Sequence, residues 1–183
     1  APSYRLTAEM LRDNVLAASG LLINQLGGSP VRPYELAASF KPVKPDGGDG
    51  LYRRSLYTYW KRTGPGPVMM VLDASKRDVC QVKRERTSSP LQTLAMLNGP
   101  QFVEAARGLS HRLIQNHKEQ AVGKLIDEMF LTLTTRLPTV AEQSVIAELY
   151  RSQLEYFQAN PDSAVEYLSN GKFGDYGKLR SGA

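Results

Sequence analysis

The sequence predicts a mainly α-helical domain with a small β component (α+β): a helical bundle with a short antiparallel strand segment packed on it. Two observations predict the helices. Apolar residues recur about every 3.6 positions from residue 89 onward, and helix-start motifs precede several of these segments. A third observation predicts the strands, because residues 51–62 are rich in Tyr, Leu, Thr and Trp, which favour extended structure.

The first predicted element is a helix that begins after Thr7. A threonine side chain suits the N-cap position, and Glu9 places a negative charge near the positive end of the helix. Apolar residues continue at helical spacing as far as Leu26. Ser19-Gly20 is one possible end of this helix, and Gly27-Gly28 is the last possible end.

Residues 29–50 are predicted to form a loop, because prolines remove backbone donors and glycines raise the entropic cost of order. The residues concerned are Pro30, Pro33, Pro42, Pro45, Gly47, Gly48 and Gly50. We assign residues 1–171 to one helical domain that contains this loop, and residues 172–183 to a flexible tail.

The strand segment is predicted from three stretches. Residues 51–62 alternate imperfectly between two faces, so a helix remains the competing interpretation. Residues 68–72 form a short apolar run, and residues 79–86 are a second strand candidate. Together these stretches predict a small antiparallel sheet.

The helices after residue 89 have clearer signals. Ser89-Pro90-Leu91-Gln92 combines an N-cap serine, a proline at the first helical position and a capping-box glutamine. A second capping box, Thr139 to Glu142, opens a helix to about residue 157. The remaining predicted helices cover residues 101–116, 119–135 and 161–168.

The positive charge is concentrated in one segment. The net charge is +5, and residues 51–90 hold nine basic and three acidic side chains. Internal ion pairs are the first interpretation, followed by a surface for an anionic polymer such as a sulfated polysaccharide, and last by nucleic acid. The candidate anion-binding residues are Arg53, Arg54, Lys61, Arg62, Lys83, Arg84 and Arg86, and the candidate aromatic surface is Tyr57, Tyr59 and Trp60.

No complete catalytic motif is present, and the sequence predicts neither a catalytic site nor a metal site. His111 and His117 are six residues apart, which places them on different helix faces and predicts surface positions. Cys80 is the single cysteine and is first interpreted as a small buried residue. A hydrolase that uses Asp73 with an arginine is the enzymatic alternative. No apolar run is long enough to span a membrane, and no signal peptide opens the sequence.

Several ordered blocks between Arg5 and Leu168 resemble one protein family, the PSD domain of planctomycetes and related bacteria, a domain of unknown function. The blocks are Arg5-Leu6-Thr7-Ala8-Glu9, Gly27-Gly28, Tyr52-Arg53-Arg54-Ser55-Leu56-Tyr57-Thr58, Arg84 with Arg86-Thr87, Pro90-Leu91-Gln92, and Arg136-Leu137-Pro138-Thr139.

The resemblance implies a context but no activity. It implies an extracytoplasmic setting and an upstream cytochrome c-type domain in the same parent protein, and it offers no catalytic residues to carry over. This chain lacks a Cys-x-x-Cys-His motif, so any haem is expected in that separate domain and no cofactor is expected in this one. The family pattern continues into one more helix, which predicts that an apolar groove is left exposed here. The leading expectation is an accessory or interaction module.

Overall fold

The computed structural model describes residues 4–33, 45–60, 66–75, 80, 82–117, 121–169 and 171–172. These ranges contain seven α-helices and two short 3₁₀ turns, the latter at Gly48–Tyr52 and Ser55–Tyr57. The helices are α1 (Ala8–Ser19), α2 (Pro67–Val71), α3 (Pro90–Asn98), α4 (Pro100–Asn116), α5 (Val122–Thr134), α6 (Val140–Ala159) and α7 (Pro161–Leu168).

The predicted strand segment is wrong, since the described residues form no strand or sheet. Residues 51–60 instead make the two 3₁₀ turns and two isolated parallel bridges, which pair Ile23 with Arg53 and Val31 with Thr58. The backbone carbonyls of Leu51 and Arg53 accept hydrogen bonds from the Arg12 guanidinium, at 2.7 and 2.9 Å. A side chain thus occupies the acceptors that a sheet ladder would have used.

The other strand candidates also differ from the prediction. The apolar run at residues 68–72 falls largely in α2, because Pro67 fixes a helical backbone angle at the first helical position. Residues 79 and 81 of the second candidate lie outside the described residues, and residues 82–86 have no regular structure.

Three of the predicted helix starts, after Thr7, Ser89 and Thr139, are confirmed. Thr7 accepts a hydrogen bond from the backbone N–H of Met10, and α1 ends at Gly20, which has a left-handed φ of 77°. Ser89 with Gln92 and Thr139 with Glu142 both form capping boxes. These local motifs therefore fix where α1, α3 and α6 begin.

The buried core lies under α1, which packs against α4. The first turn of α1 contributes Ala8 to an apolar cluster with α2 and α4. The buried members of this cluster are Ala8, Met69, Leu72, Ala74 and Phe102. The last turn of α1 contributes Leu16 to a second cluster with Leu21, Leu51 and Tyr52. The 51–60 segment is held in place by this second cluster.

The C-terminal helices are packed more lightly. Helix α5 packs against α4 and α6, and α7 packs against α6. Ile126 is the buried residue of α5, whereas α6 and α7 have none among their described residues. The chain therefore has a well-buried N-terminal core and an open C-terminal layer.

Two predictions about organisation stay untested. Residues 34–44 of the predicted loop and residues 173–183 of the predicted tail lie outside the described residues. The assignment of residues 1–171 to one domain stays a prediction. Over the ranges that the structure describes, every helix is too short or too polar to cross a bilayer.

Candidate functional site

Those predicted basic residues that the structure describes do not form one cluster of free cations. Arg53 is 5% exposed, and its guanidinium donates to the backbone carbonyls of Gln25, Gly27 and Ser29. The same group lies 4.1 Å from the centre of the Tyr57 ring. Arg53 thus closes the turn at residues 25–29 from the inside.

The remaining predicted cations are more accessible. Arg84 donates to Glu9 at 2.7 Å, so its guanidinium is paired with a carboxylate. Arg54, Lys83 and Arg86 are exposed, and none has an ion pair with another described residue. Lys61 and Arg62 lie outside the described residues.

The predicted aromatic surface is also divided. The Tyr57 hydroxyl accepts a hydrogen bond from the Gly27 N–H at 2.8 Å, so its polar end stabilises the same turn as Arg53. Trp60 packs against the core cluster under α1. Tyr59 is 37% exposed and pairs with the Arg32 guanidinium at 5.2 Å. Of the three aromatic residues, Tyr59 is the most exposed.

Arg12 holds the N-terminal half together. It is 3% exposed, and besides the two backbone carbonyls it donates to the Gln101 side chain at 3.0 Å and the Ser55 hydroxyl at 3.1 Å. Its neighbour Asp13 accepts from the Ser55 backbone N–H at 2.7 Å. One pair of charged residues on α1 therefore fixes the 51–55 segment against α4.

This arrangement creates an open groove of about 790 Å³ along the outer side of α1, which we name the α1 groove. It is lined by Leu6, Thr7, Glu9, Met10, Asp13, Asn14, Ala17, Leu22, Arg54, Leu56 and Arg84. Met10 and Leu56 are 50% and 75% exposed in it, although both are apolar. Two of the predicted cations, Arg54 and Arg84, meet here.

The sequence alone did not reveal this groove. Residues 10, 14 and 17 share one face of α1 at helical spacing, opposite the face that buries Leu16. The sequence feature that could have indicated the groove is Met10, an apolar residue on the solvent-facing side of α1. The position of Leu56 beside Met10 depends on the 3₁₀ turn Ser55–Tyr57, where the sequence predicted a strand.

A second, smaller groove of about 150 Å³ lies between α4, α5 and α6, and we name it the α4–α6 groove. Its lining is almost entirely apolar: Ser110, Leu113, Ile114, Val122, Leu125, Ile126, Met129, Ile146 and Tyr150. Ile114 and Tyr150 are 59% and 43% exposed at its edges. Leu154, one turn beyond Tyr150 on α6, extends this apolar face.

Asp73, the residue of the hydrolase alternative, lies in a hydrogen-bond network. Its carboxylate accepts from the Thr87 backbone N–H at 2.7 Å, the Thr87 hydroxyl at 2.9 Å and the Gln92 amide at 3.1 Å. Burial opposes ionisation, but these hydrogen bonds and the charge of Arg5 lower its pKa. Asp73 has a φ of 63°, and its contacts tie the end of α2 to the start of α3.

The histidines and the cysteine do not assemble a metal site. His111 is exposed, as predicted, whereas His117 is half-buried and contacts Glu128 on α5. Cys80 is exposed, so its interpretation as a buried residue is wrong. In the described parts of the chain, no three His, Cys, Asp or Glu side chains are grouped as metal ligands.

The chain was compared with protein-family models, curated proteins and solved structures. The model of the PSD1 family, described as a protein of unknown function (DUF1553), matches residues 1–150. No curated protein and no solved structure gives a significant match to the chain.

Proposed function

Since the chain belongs to the PSD1 family of proteins of unknown function, we propose that it is an accessory interaction module of a larger exported protein. We further propose that the α4–α6 groove docks the neighbouring cytochrome-type domain of that parent protein. Any haem then belongs to the neighbouring domain, and this chain contributes the docking surface.

The observation that supports this proposal is the apolar exposure of the C-terminal layer. Twelve large apolar side chains between residues 131 and 168 are exposed, and α6 and α7 bury no described residue. Large exposed apolar patches mark interaction surfaces in soluble proteins. A standard interface takes about 800 Å² from each partner, which a dozen half-exposed large side chains can supply.

The α4–α6 groove is the favoured place within this layer because it is concave and apolar. The edge residues Ile114 and Tyr150 stand on either side of a floor formed by α5 residues. An apolar side chain from a partner would fill this floor and remove both edges from water. The geometry suits a helix laid across α5, which would complete a four-helix arrangement with α4, α5 and α6.

The test is a binding measurement between this chain and the cytochrome-type domain of the same parent protein by biolayer interferometry. Ile114→Gln with Tyr150→Gln is expected to weaken binding at least tenfold. Leu91→Gln with Leu94→Gln is the matched control, because these α3 residues are each 56% exposed and lie outside the groove lining. The control pair is expected to bind like the wild type.

Two outcomes would contradict the proposal. Equal loss in both double variants would show that general surface apolarity, and not this groove, drives the association. A second outcome is self-association. If sedimentation shows a dimer of this chain that Ile114→Gln with Tyr150→Gln dissociates, the groove is an interface between two copies.

A weaker second candidate is an anionic polymer, supported by the exposed cations Arg54, Lys83 and Arg86. Binding to a sulfated polysaccharide would fall steeply with salt, with a slope set by the number of charges neutralised. Affinity measured at two salt concentrations tests it, and a salt-independent signal would remove this candidate.

A further inference from the structure

The α1 groove combines exposed apolar side chains with one available positive charge. Leu6, Met10, Leu22 and Leu56 provide the apolar lining. Met10 lies on an exposed helix face and Leu56 follows directly after the buried Ser55, so the fold directs both side chains outward. Nothing in the packing under α1 requires either residue to be apolar. A ligand that covers them would remove this surface from water.

The charged side chains that line the groove differ in whether they are free to bind a ligand. Arg84 forms an ion pair with Glu9. The Asp13 carboxylate accepts a hydrogen bond from the Ser55 N–H and lies 3.8 Å from the Arg12 guanidinium. Arg54 is exposed, and its side chain makes no hydrogen bond or ion pair with another described residue. Its guanidinium can therefore take a ligand carboxylate through two parallel hydrogen bonds.

The same distribution argues against a polyanion in this groove. A sulfated polymer needs a row of unpaired cations, whereas this groove offers Arg54 beside two carboxylates and an apolar floor. Asn14 adds an exposed amide, which can donate to and accept from a peptide backbone. From Thr7 to Ala17 the wall formed by α1 is about 15 Å long, enough for about five extended residues.

We propose that the α1 groove binds a peptide segment in which one Asp or Glu is flanked by apolar side chains. Arg54 pairs with the peptide carboxylate, Met10 and Leu56 cover its apolar side chains, and Asn14 bonds its backbone. This site is formed by elements other than the α4–α6 groove, so the proposal does not depend on the proposed function.

The experiment uses three fluorescein-labelled peptides of about eight residues that share the same leucines and carry Glu, Gln or Lys at one central position. Fluorescence anisotropy is measured against the full chain. The Glu peptide is expected to bind, and the Gln and Lys peptides at least tenfold more weakly. Arg54→Gln is expected to weaken the Glu peptide about tenfold and to abolish its advantage over the Gln peptide.

Two further variants separate the contributions. Leu56→Ser is expected to weaken all three peptides by a similar factor, because it removes apolar contact and no charge. Arg86→Gln is the matched control, since this arginine is exposed but does not line the groove, and it is expected to change nothing.

Three results would overturn the proposal. The first is no binding of any peptide up to about 1 mM, the weakest affinity that such a contact would still support. The second is equal binding of the Glu and Lys peptides. The third is a labelled heparin fragment that binds, is weakened by Arg54→Gln and is unaffected by Leu56→Ser, which would assign the groove to an anionic polymer.

Discussion

Replacement of Arg12 by methionine tests whether one buried guanidinium organises the N-terminal half of the chain. Methionine has a similar length and favours helix, so α1 itself should persist. The substitution leaves the carbonyls of Leu51 and Arg53 without their donor and also removes the bonds to Gln101 and Ser55. The expected loss of stability therefore comes from unpaired buried hydrogen-bond acceptors and not from a weaker helix.

The size of the effect follows from these four contacts. A buried acceptor that loses its donor costs about 1–3 kcal/mol, and such costs are not additive among neighbours. Removing one partner of a buried charged network costs about 3–5 kcal/mol in other proteins. We expect Arg12→Met to lower the free energy of unfolding by about 4 kcal/mol, a large part of the stability of a domain of this size.

Urea denaturation followed by circular dichroism measures this change. With a denaturant dependence of about 2 kcal/mol per molar, the midpoint should fall by about 2 M. Arg54→Gln is the control, because that exposed neighbour should change stability by less than about 0.5 kcal/mol. A loss below about 1 kcal/mol in Arg12→Met would refute the assigned role of Arg12.

Three further predictions concern single contacts. Hydrogen bonds from Arg136 and then Thr139 lower the pKa of Glu142 to about 2. The stabilisation from these bonds is therefore present above pH 4.5 and is lost as the pH falls towards 2. Near pH 2 the melting temperature of Glu142→Gln should approach that of the wild type. Gly171→Ala should destabilise by about 2 kcal/mol in urea titrations, because φ is 81° and a Cβ would lie 2.8 Å from the Glu104 carboxylate. Asp73→Asn should cost about 1–2 kcal/mol in the same titrations, because Thr87 loses its charged acceptor.

Each of these predictions has a matched comparison. Gln still suits the third position of a capping box, so Glu142→Gln removes charge with little loss of cap, and a constant difference across pH would contradict the prediction. Gly27→Ala has a similar φ of 75° and open space around it, so it should cost less than Gly171→Ala. Asn tolerates the left-handed backbone of Asp73, and an unchanged stability would show that the Thr87 contacts are dispensable.

The helices were predictable because their signals are local. Thr7, Ser89 with Gln92, and Thr139 with Glu142 satisfy backbone donors within three residues, and the structure confirms each start. Residues 51–60 were not predictable in this way. Their side chains favour β structure, but Arg12, about 40 residues earlier, donates hydrogen bonds to the carbonyls of Leu51 and Arg53. Nothing in the sequence near residues 51–60 indicates these long-range hydrogen bonds.

The same distinction applies to the candidate sites. The charge count identified the segment that contains Arg54 and Arg84, but it gave equal weight to Arg53, which is buried by its contacts with the turn at residues 25–29. Pairing of Arg84 with Glu9 also depends on two segments that are 75 residues apart. Which arginines reach solvent is a tertiary property, so composition could locate the region but not choose its members.

The Arg12 contacts also bear on the order in which the chain folds. Its hydrogen bonds reach partners 39, 41, 43 and 89 residues later in the sequence. Such long loops must close before these bonds form, which slows folding relative to the local contacts of the later helices. During synthesis, α1 emerges before α4, but its Arg12 contacts are incomplete until α4 has left the ribosome. Helix α1 is therefore made before α4 but reaches its final position only with it.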